Sequence, residues 1–272
     1  MTDRSEIPMT NEHFARWCGD MIGQPYWYGT CVYRATEALL RKKRARYPAH
    51  YGAGRLKKYR RDIAARRVVA DCVGACKGYA WTDGGQGVLA SVGTGSAYRT
   101  RYRSNGCPDK GAYSLFQWAK AQGAAWGDIA TLPDTPGLAL YKAGHLGYTA
   151  GGGEVVEWRG YRYGCVRTAI TDRPWTHWFA LPFLDYGGQV RPRAVPLGAR
   201  TLRRSDSGSD VRALQERLNA RGAALTEDGR YGAKTEAAVR AFQRATGLRA
   251  DGVCGPRTYA ALEKAQQEEK DA

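Results

Sequence analysis

The chain has 272 residues, 43% of them apolar and 25% charged, which excludes a disordered chain and leaves room for two domains. Lys and Arg number 42 against 26 Asp and Glu, a net charge of +16 that favours anionic partners: nucleic acid, a membrane surface or an acidic wall polymer. No run approaches the ~18 apolar residues of a membrane span, and the first thirty residues lack a basic start followed by an apolar stretch, so neither membrane insertion nor a secretory leader is expected.

The seven cysteines, at 18, 31, 72, 76, 107, 165 and 254, contain no Cys-x-x-Cys pair. That argues against a structural zinc site and a disulfide framework. No metal or other cofactor is expected, and an odd count leaves at least one thiol for chemistry.

In chain order, the first distinctive element is Gly23-x-Pro25-Tyr26-Trp27-Tyr28-Gly29. Residues 41–67 then hold twelve Lys and Arg and a single acid, Asp62. Leu56, Tyr59 and Ile63 give this stretch one apolar helical face, and the remainder reads as a solvated basic face. The stretch does not show the aromatic interleaving of a stacking platform, and charge alone is a weak signal, so nucleic acid is not expected as a partner.

Next, the apolar run ending at Ala70 gives way to Asp71-Cys72-Val73-Gly74-Ala75-Cys76. Small residues there permit a tightly packed helix start, and a cysteine in a first turn would have its thiolate favoured by the helix dipole. Cys76, four residues on, reads as core packing. A nucleophilic cysteine needs a base and a group orienting that base. Of the four histidines, His13 and His50 sit in no motif, and His177, between tryptophans, reads as packed among rings. His145 begins an alternating segment, followed by Gly151-Gly152-Gly153 and Glu154-Val-Val-Glu157-Trp158, which reads as a β-hairpin. Glu157, twelve residues after His145, is then placed beside it.

Residues 187–209 are rich in Gly, Pro, Ser and Arg and read as a linker running into a second domain. Beyond them Asp228-Gly229-x-x-Gly232-x-x-Thr235 recurs as Asp251-Gly252-x-x-Gly255-x-x-Thr258, 23 residues later. Asp-Gly makes a tight turn and each threonine is expected to cap the helix that follows. With Val211, Leu214 and Leu218 on one earlier helical face, the pattern predicts three helices in a unit of about sixty residues, near the lower limit for independent folding.

Two resemblances rest on these residues. The order of Leu-Gln, Asp-Gly-x-x-Gly-x-x-Thr, Ala-Val-x-x-Phe-Gln and the second Asp-Gly turn, from about Leu197 to Leu262, resembles the bacterial peptidoglycan-binding domain of the three-helix repeat type. The earlier elements, from about Asn11 to Tyr186, resemble the NlpC-type cysteine peptidases, papain-like wall hydrolases. The Pro-Tyr-x-x-Gly element, Asp-Cys-x-Gly and Gly-His-x-Gly-Tyr all match, and Trp175–Trp178 with Asp185-Tyr186 is similar to the ending of clostridial and phage lysins.

The second resemblance implies an α+β fold in which a cysteine-bearing helix packs on an antiparallel sheet. It implies Cys72 as nucleophile, His145 as base, Glu157 as third member, and Tyr26 with its hydroxyl beside the nucleophile and oxyanion site. The third position in that family is commonly His, Asn or Gln; a Glu here would still accept the imidazole N–H and support its positive charge more strongly. Together the resemblances imply a peptidase domain over 1–187, a linker over 188–203 and a peptidoglycan-binding domain over 204–266.

The implied partner is bacterial peptidoglycan. The implied reaction is hydrolysis of a stem-peptide amide, between γ-D-glutamate and the following diamino acid. An N-acetylmuramoyl-L-alanine amidase with the same residues is the alternative, and a non-catalytic wall-binding protein is a third. Action at the cell wall without a visible leader implies phage-type release or delivery, or a chain lacking its leader.

Overall fold

A computed structural model describes residues 8–89 and 103–270. The chain forms two compact units, Met1–Trp126 with Asp134–Val190, and Gly127–Pro133 with Arg191–Ala272. No helix among the described residues is long and apolar enough to cross a membrane.

The first unit is mixed α and β. Helix α1 (Asn11–Asp20) starts at Thr10, whose hydroxyl accepts the His13 N–H. A two-stranded ribbon, β1 (Tyr33–Arg34) with β2 (Val68–Val69), encloses helices α2 (Glu37–Arg46) and α3 (Leu56–Ala64). Helices α4 (Gly74–Trp81) and α5 (Ala112–Ala121) follow. The main sheet has six strands: β3 (Trp126–Asp128), β4 (Ala139–Lys142), β5 (His145–Gly151), β6 (Glu154–Gly160), β7 (Gly164–Ala169) and β8 (His177–Phe179), in the order β3-β8-β4-β5-β6-β7.

Alternation along β5 and β6 sets what each face does. Leu146, Tyr148, Val156 and Trp158 enter one buried cluster with Phe14 and Cys18 of α1, Cys76 and Tyr79 of α4, and Leu115 and Phe116 of α5. The helix that follows Cys72 therefore packs on an antiparallel sheet, as expected. A second cluster gathers Trp27, Tyr33, Leu39, Leu40, Tyr51 and Tyr59. Leu56 and Ile63 pack against it, and Asp62, the one acid of the basic stretch, accepts the Trp27 indole N–H at 2.9 Å.

The small residues of α4 have a steric reason. A Cβ on Gly74 would lie 1.7 Å from the Thr30 carbonyl oxygen, and one on Gly78 would lie 2.1 Å from a Val32 methyl. The helix can approach this segment only through glycine.

The second unit carries helices α6 (Ser209–Asn219), α7 (Ala233–Ala245) and α8 (Pro256–Lys270) around Leu202, Val211, Leu214, Tyr231, Val239 and Leu262. Two buried glutamines hold its two Asp-Gly turns in the same way. The Gln215 amide donates to Asp228 and to the Arg230 carbonyl, each at 3.0 Å, and to Thr235 at 3.2 Å, while its oxygen accepts the Gly229 N–H at 2.9 Å. Gln243 repeats this with Asp251 and Val253 at 3.0 Å, Thr258 at 3.2 Å and Gly252 at 2.9 Å.

Two expectations are corrected here. Thr235 and Thr258 are not helix caps: they lie inside the first turns, and their hydroxyls serve the glutamines instead. The linker expected over 188–203 ends early. Leu202 is fully buried and exchanges backbone hydrogen bonds with Cys254, and the Arg200 guanidinium binds Asp210 at 2.7 Å and Asp128 at 2.5 Å. Arg200 explains why 127–133, counted by sequence with the first domain, groups with the second unit.

Candidate active site

Cys72 lies in the turn before α4, two residues short of the helix. Asp71 shapes that turn. One carboxylate oxygen accepts the N–H groups of Val73 at 3.1 Å and Gly74 at 2.6 Å, and the other accepts the Gly29 N–H at 2.8 Å. The Tyr148 hydroxyl donates to the Cys72 carbonyl at 2.6 Å, fixing the turn to β5. The backbone N–H groups of Leu146 and Val73 favour the Cys72 thiolate, which puts the thiol near the start of β5, where Leu146 follows His145.

The expected dipole-favoured thiolate is not what the structure holds. Burial, and next the carboxylate of Asp71, push the Cys72 thiol up to about 12 despite the two amides. The sulfur lies before the helix axis begins, in a place 6% exposed, so desolvation outweighs the dipole.

His145 and Glu157 meet directly: Nε2 to Oε2 is 2.6 Å, with the carboxylate fully buried. The hairpin explains this. Tyr148 pairs with Val156 and Thr149 with Val155, so residues 145 and 157 share a face. Glu157 also lies 3.5 Å from the Arg173 guanidinium and accepts the Thr168 hydroxyl at 3.3 Å. Burial alone would raise its carboxyl, but the hydrogen bond from His145 and the charges of His145, Arg173 and Arg159 hold it below its ordinary value. With Nε2 occupied, Nδ1 is the ring nitrogen left to exchange a proton.

Trp175 was not picked out by sequence as part of the site. Its ring stacks on His145, centroids 5.7 Å apart and planes 15° apart. It fits because position 147 is glycine: a Cβ there would meet the Trp175 ring at 2.8 Å. Arg173 and the clamping role of Asp71 were missed for the same reason, since both depend on approach in space. The Gly147 of Gly-His-x-Gly-Tyr was the available signal.

Tyr26 and Cys72 line one cavity of about 410 Å³, with Gly144 also on its wall. Burial, then the charges of Asp71 and Cys72, push the Tyr26 phenol upward, so it stays a hydrogen-bond donor. Thus the structure pairs His145 with Glu157, while Tyr26 and Cys72 share a cavity wall with Gly144, the residue before His145. His177 stands elsewhere, its ring 5.3 Å from Phe116 and its Nδ1 3.0 Å from the Thr176 hydroxyl. Cys76 is fully buried and its thiol donates to the Val73 carbonyl at 3.2 Å.

The basic stretch 41–67 is not wholly a solvated face. Lys42, Lys43 and Arg46 of α2 line the Cys72 cavity. The α2 segment folds back over it because Leu39 and Leu40 are buried in the aromatic cluster.

Residues 207–262 match a family model described as a putative peptidoglycan binding domain. A zinc D-Ala-D-Ala carboxypeptidase of Streptomyces albus G is 43% identical over 72 residues, 25% of this chain and 28% of that protein. A probable N-acetylmuramoyl-L-alanine amidase of Bacillus licheniformis is 44% identical over 68 residues, 24% of this chain and 19% of that protein. The crystal structure of the Burkholderia AP3 phage endolysin matches at 50% identity and a TM-score of 0.23, over 24% of this chain and 25% of that one. The chain thus spans less than a third of each of these relatives. The likeness to a peptidoglycan-binding domain belongs to the second unit.

Proposed function

We propose that the protein is a papain-like, NlpC-type cysteine hydrolase that cuts an amide in the peptidoglycan stem peptide, held on the wall by its second unit. The observation that carries this reading is the 2.6 Å His145–Glu157 pair at the start of β5, whose Leu146 backbone N–H is among the groups that favour the Cys72 thiolate. A histidine held by a buried carboxylate at one nitrogen, with its other nitrogen left to take a thiol proton, has the parts that activate a cysteine nucleophile.

The thiol is protonated at rest, so its proton passes to His145 Nδ1 as the sulfur attacks the scissile carbonyl. A carbon–sulfur bond forms, and the carbonyl electron pair moves onto oxygen. Tyr26 supplies an O–H donor for that oxyanion. Glu157 steadies the imidazolium. Collapse breaks the carbon–nitrogen bond while His145 returns its proton to the leaving amine. Water then attacks the thioester with His145 as base, releasing the carboxylic acid and restoring the thiol.

The second unit supports wall binding. Its relatives include a carboxypeptidase and an amidase by name, different reactions joined to a similar segment, which suits a targeting role rather than a chemical one. The bond we favour is that between γ-D-glutamate and the following diamino acid. A relative named as an amidase favours the alternative cut between muramic acid and L-alanine. Mass spectrometry of digested muropeptides separates them: a new N-terminal diamino acid supports the first, and a new N-terminal alanine supports the second. Intact muropeptides after prolonged incubation would overturn both.

A further inference from the structure

The Cys72 cavity has a charged wall that the reaction above does not use. Five cations line it, Lys42, Lys43, Arg46, Lys77 and Lys110, against two carboxylates, Asp71 and Asp109. Both carboxylates are already engaged. Asp109 pairs with Lys77 at 2.8 Å, and Asp71 accepts three backbone N–H groups.

Lys43 is also engaged. Its ammonium donates to the Gly29 carbonyl and lies 5.8 Å from the ring centroids of Tyr33 and Tyr47. Burial, opposed by Cys31 and Asp71 and reinforced by Lys42 and Arg46, lowers its pKa. Lys42, Arg46 and Lys110 meet no carboxylate among the described residues. Lys42 and Arg46 stand four residues apart on α2, where like charges repel. Lys110 approaches the same space from the segment before α5. Cations gathered from two elements around a cavity, without counter-charge, make a site that an anion completes.

We propose that Lys42, Arg46 and Lys110 form a specificity wall that binds a substrate carboxylate next to the scissile amide. This rests on the reading of Cys72 as nucleophile in a stem-peptide hydrolase. Linkage of glutamate through its γ-carboxyl leaves the α-carboxylate free on the acyl side of the bond, a few atoms from the carbonyl under attack. A carboxylate on the diamino acid is the other source of the same chemistry.

The test uses the full chain and three soluble peptides containing γ-D-glutamyl-diamino acid: both carboxylates free, the glutamate α-carboxylate amidated, and the diamino acid carboxylate amidated. The proposal expects kcat/KM to fall on the order of tenfold for one amidated peptide, mainly through KM. The peptide that suffers identifies the carboxylate recognised, and added salt should narrow the gap. Lys42→Gln with Arg46→Gln should bring the ratio to about one, and Lys42→Arg with Arg46→Lys should restore it. Lys110→Gln reads the same ratio from a different element. Arg44→Gln, on α2 but off the cavity wall, is the control that keeps it.

Equal rates on all three peptides by the wild type, or an undiminished ratio in both the double variant and Lys110→Gln, would overturn the proposal. Binding of the same peptides to the Cys72→Ala chain keeps the two readings apart. Carboxylate-dependent binding without hydrolysis by the wild type counts against the proposed reaction and supports the wall. Hydrolysis without carboxylate preference does the reverse.

Discussion

The molecule fixes its local geometry with polar side chains in two different ways. In the second unit, Gln215 and Gln243 hold the Asp-Gly turns with neutral amides whose donors and acceptor are satisfied in both repeats. In the first unit, Asp71 holds the Cys72 turn and Glu157 holds His145, and both are carboxylates. A neutral amide fixes a shape and leaves little field behind. A carboxylate fixes a shape and also leaves a charge on its surroundings, and that of Asp71 adds to burial in raising the Cys72 thiol. The tail is built to hold a form; the site is built to hold a form and bias protons.

The largest effect that sharpens this contrast comes from the thiol. Cys72→Ala should lower hydrolysis at least a thousandfold while the melting temperature stays near wild type. Cys76→Ala should do the opposite, because Cys76 is packed inside the core. Loss of hydrolysis with Cys76→Ala and not with Cys72→Ala would transfer the role.

Glu157 comes next. Glu157→Ala should cost on the order of 3 kcal/mol of stability, since it leaves Arg173 without its buried carboxylate, and tenfold to a thousandfold in kcat/KM. Glu157→Gln keeps an acceptor and should lose less, and His177→Ala should stay near wild type. The pH dependence has a definite sign. A carboxyl held below its ordinary value stabilises the fold above that value and stops doing so as pH falls through the depressed one. The stability gap between wild type and Glu157→Gln should therefore narrow as pH drops below 4.5, the ordinary glutamate value. A gap constant from pH 7 to pH 3 would show that the charge contributes nothing.

Gly74→Ala tests the packing that sets the Cys72 turn. Its new Cβ would collide with the Thr30 carbonyl, so a loss of about 2–3 kcal/mol, read by denaturant unfolding, is expected together with reduced activity. The smallest effects belong to the tail. Gln215→Ala and Gln243→Ala should each cost about 1–3 kcal/mol by orphaning the buried Gly229 and Gly252 N–H groups. The two losses should be similar, with peptide hydrolysis on soluble substrate untouched. Unequal losses would mean the repeat is one of sequence and not of energetics.

What could be read from sequence was what is local. The glycine turn and alternation at 145–158 placed Glu157 on the face of His145, because strand period and turn length fix that relation. The second unit was legible from its repeat, although the role of its threonines was not. The hydroxyl of Thr235 looked like a cap, while its partner, Gln215, is twenty residues away. Leu202 was hidden among Arg and Pro, and only its pairing with Cys254 shows it to be core. Cys72 is proposed from its motif, but the dipole argument misjudged its electrostatics, because burial and the Asp71 carboxylate are invisible to it. The basic wall escaped for a related reason. Composition counted the charges of 41–67, and only the fold says which of them border the Cys72 cavity.

The indole of Trp175 resting over Gly147 imposes an order on how this chain can change. Any side chain at 147 strikes the ring at 2.8 Å and pushes it off the imidazole of His145. A side chain at 147 is acceptable only after residue 175 has been made smaller and Val155, whose methyl would lie 2.7 Å from the new Cβ, has given way, and the smaller residue at 175 alone leaves His145 without its cover. The path between two workable combinations thus passes through a poor intermediate in one direction and a worse one in the other. Positions 147, 155 and 175 are epistatic: a library that varies them one at a time will score 147 and 175 as immutable, and one that varies all three together will find the alternatives.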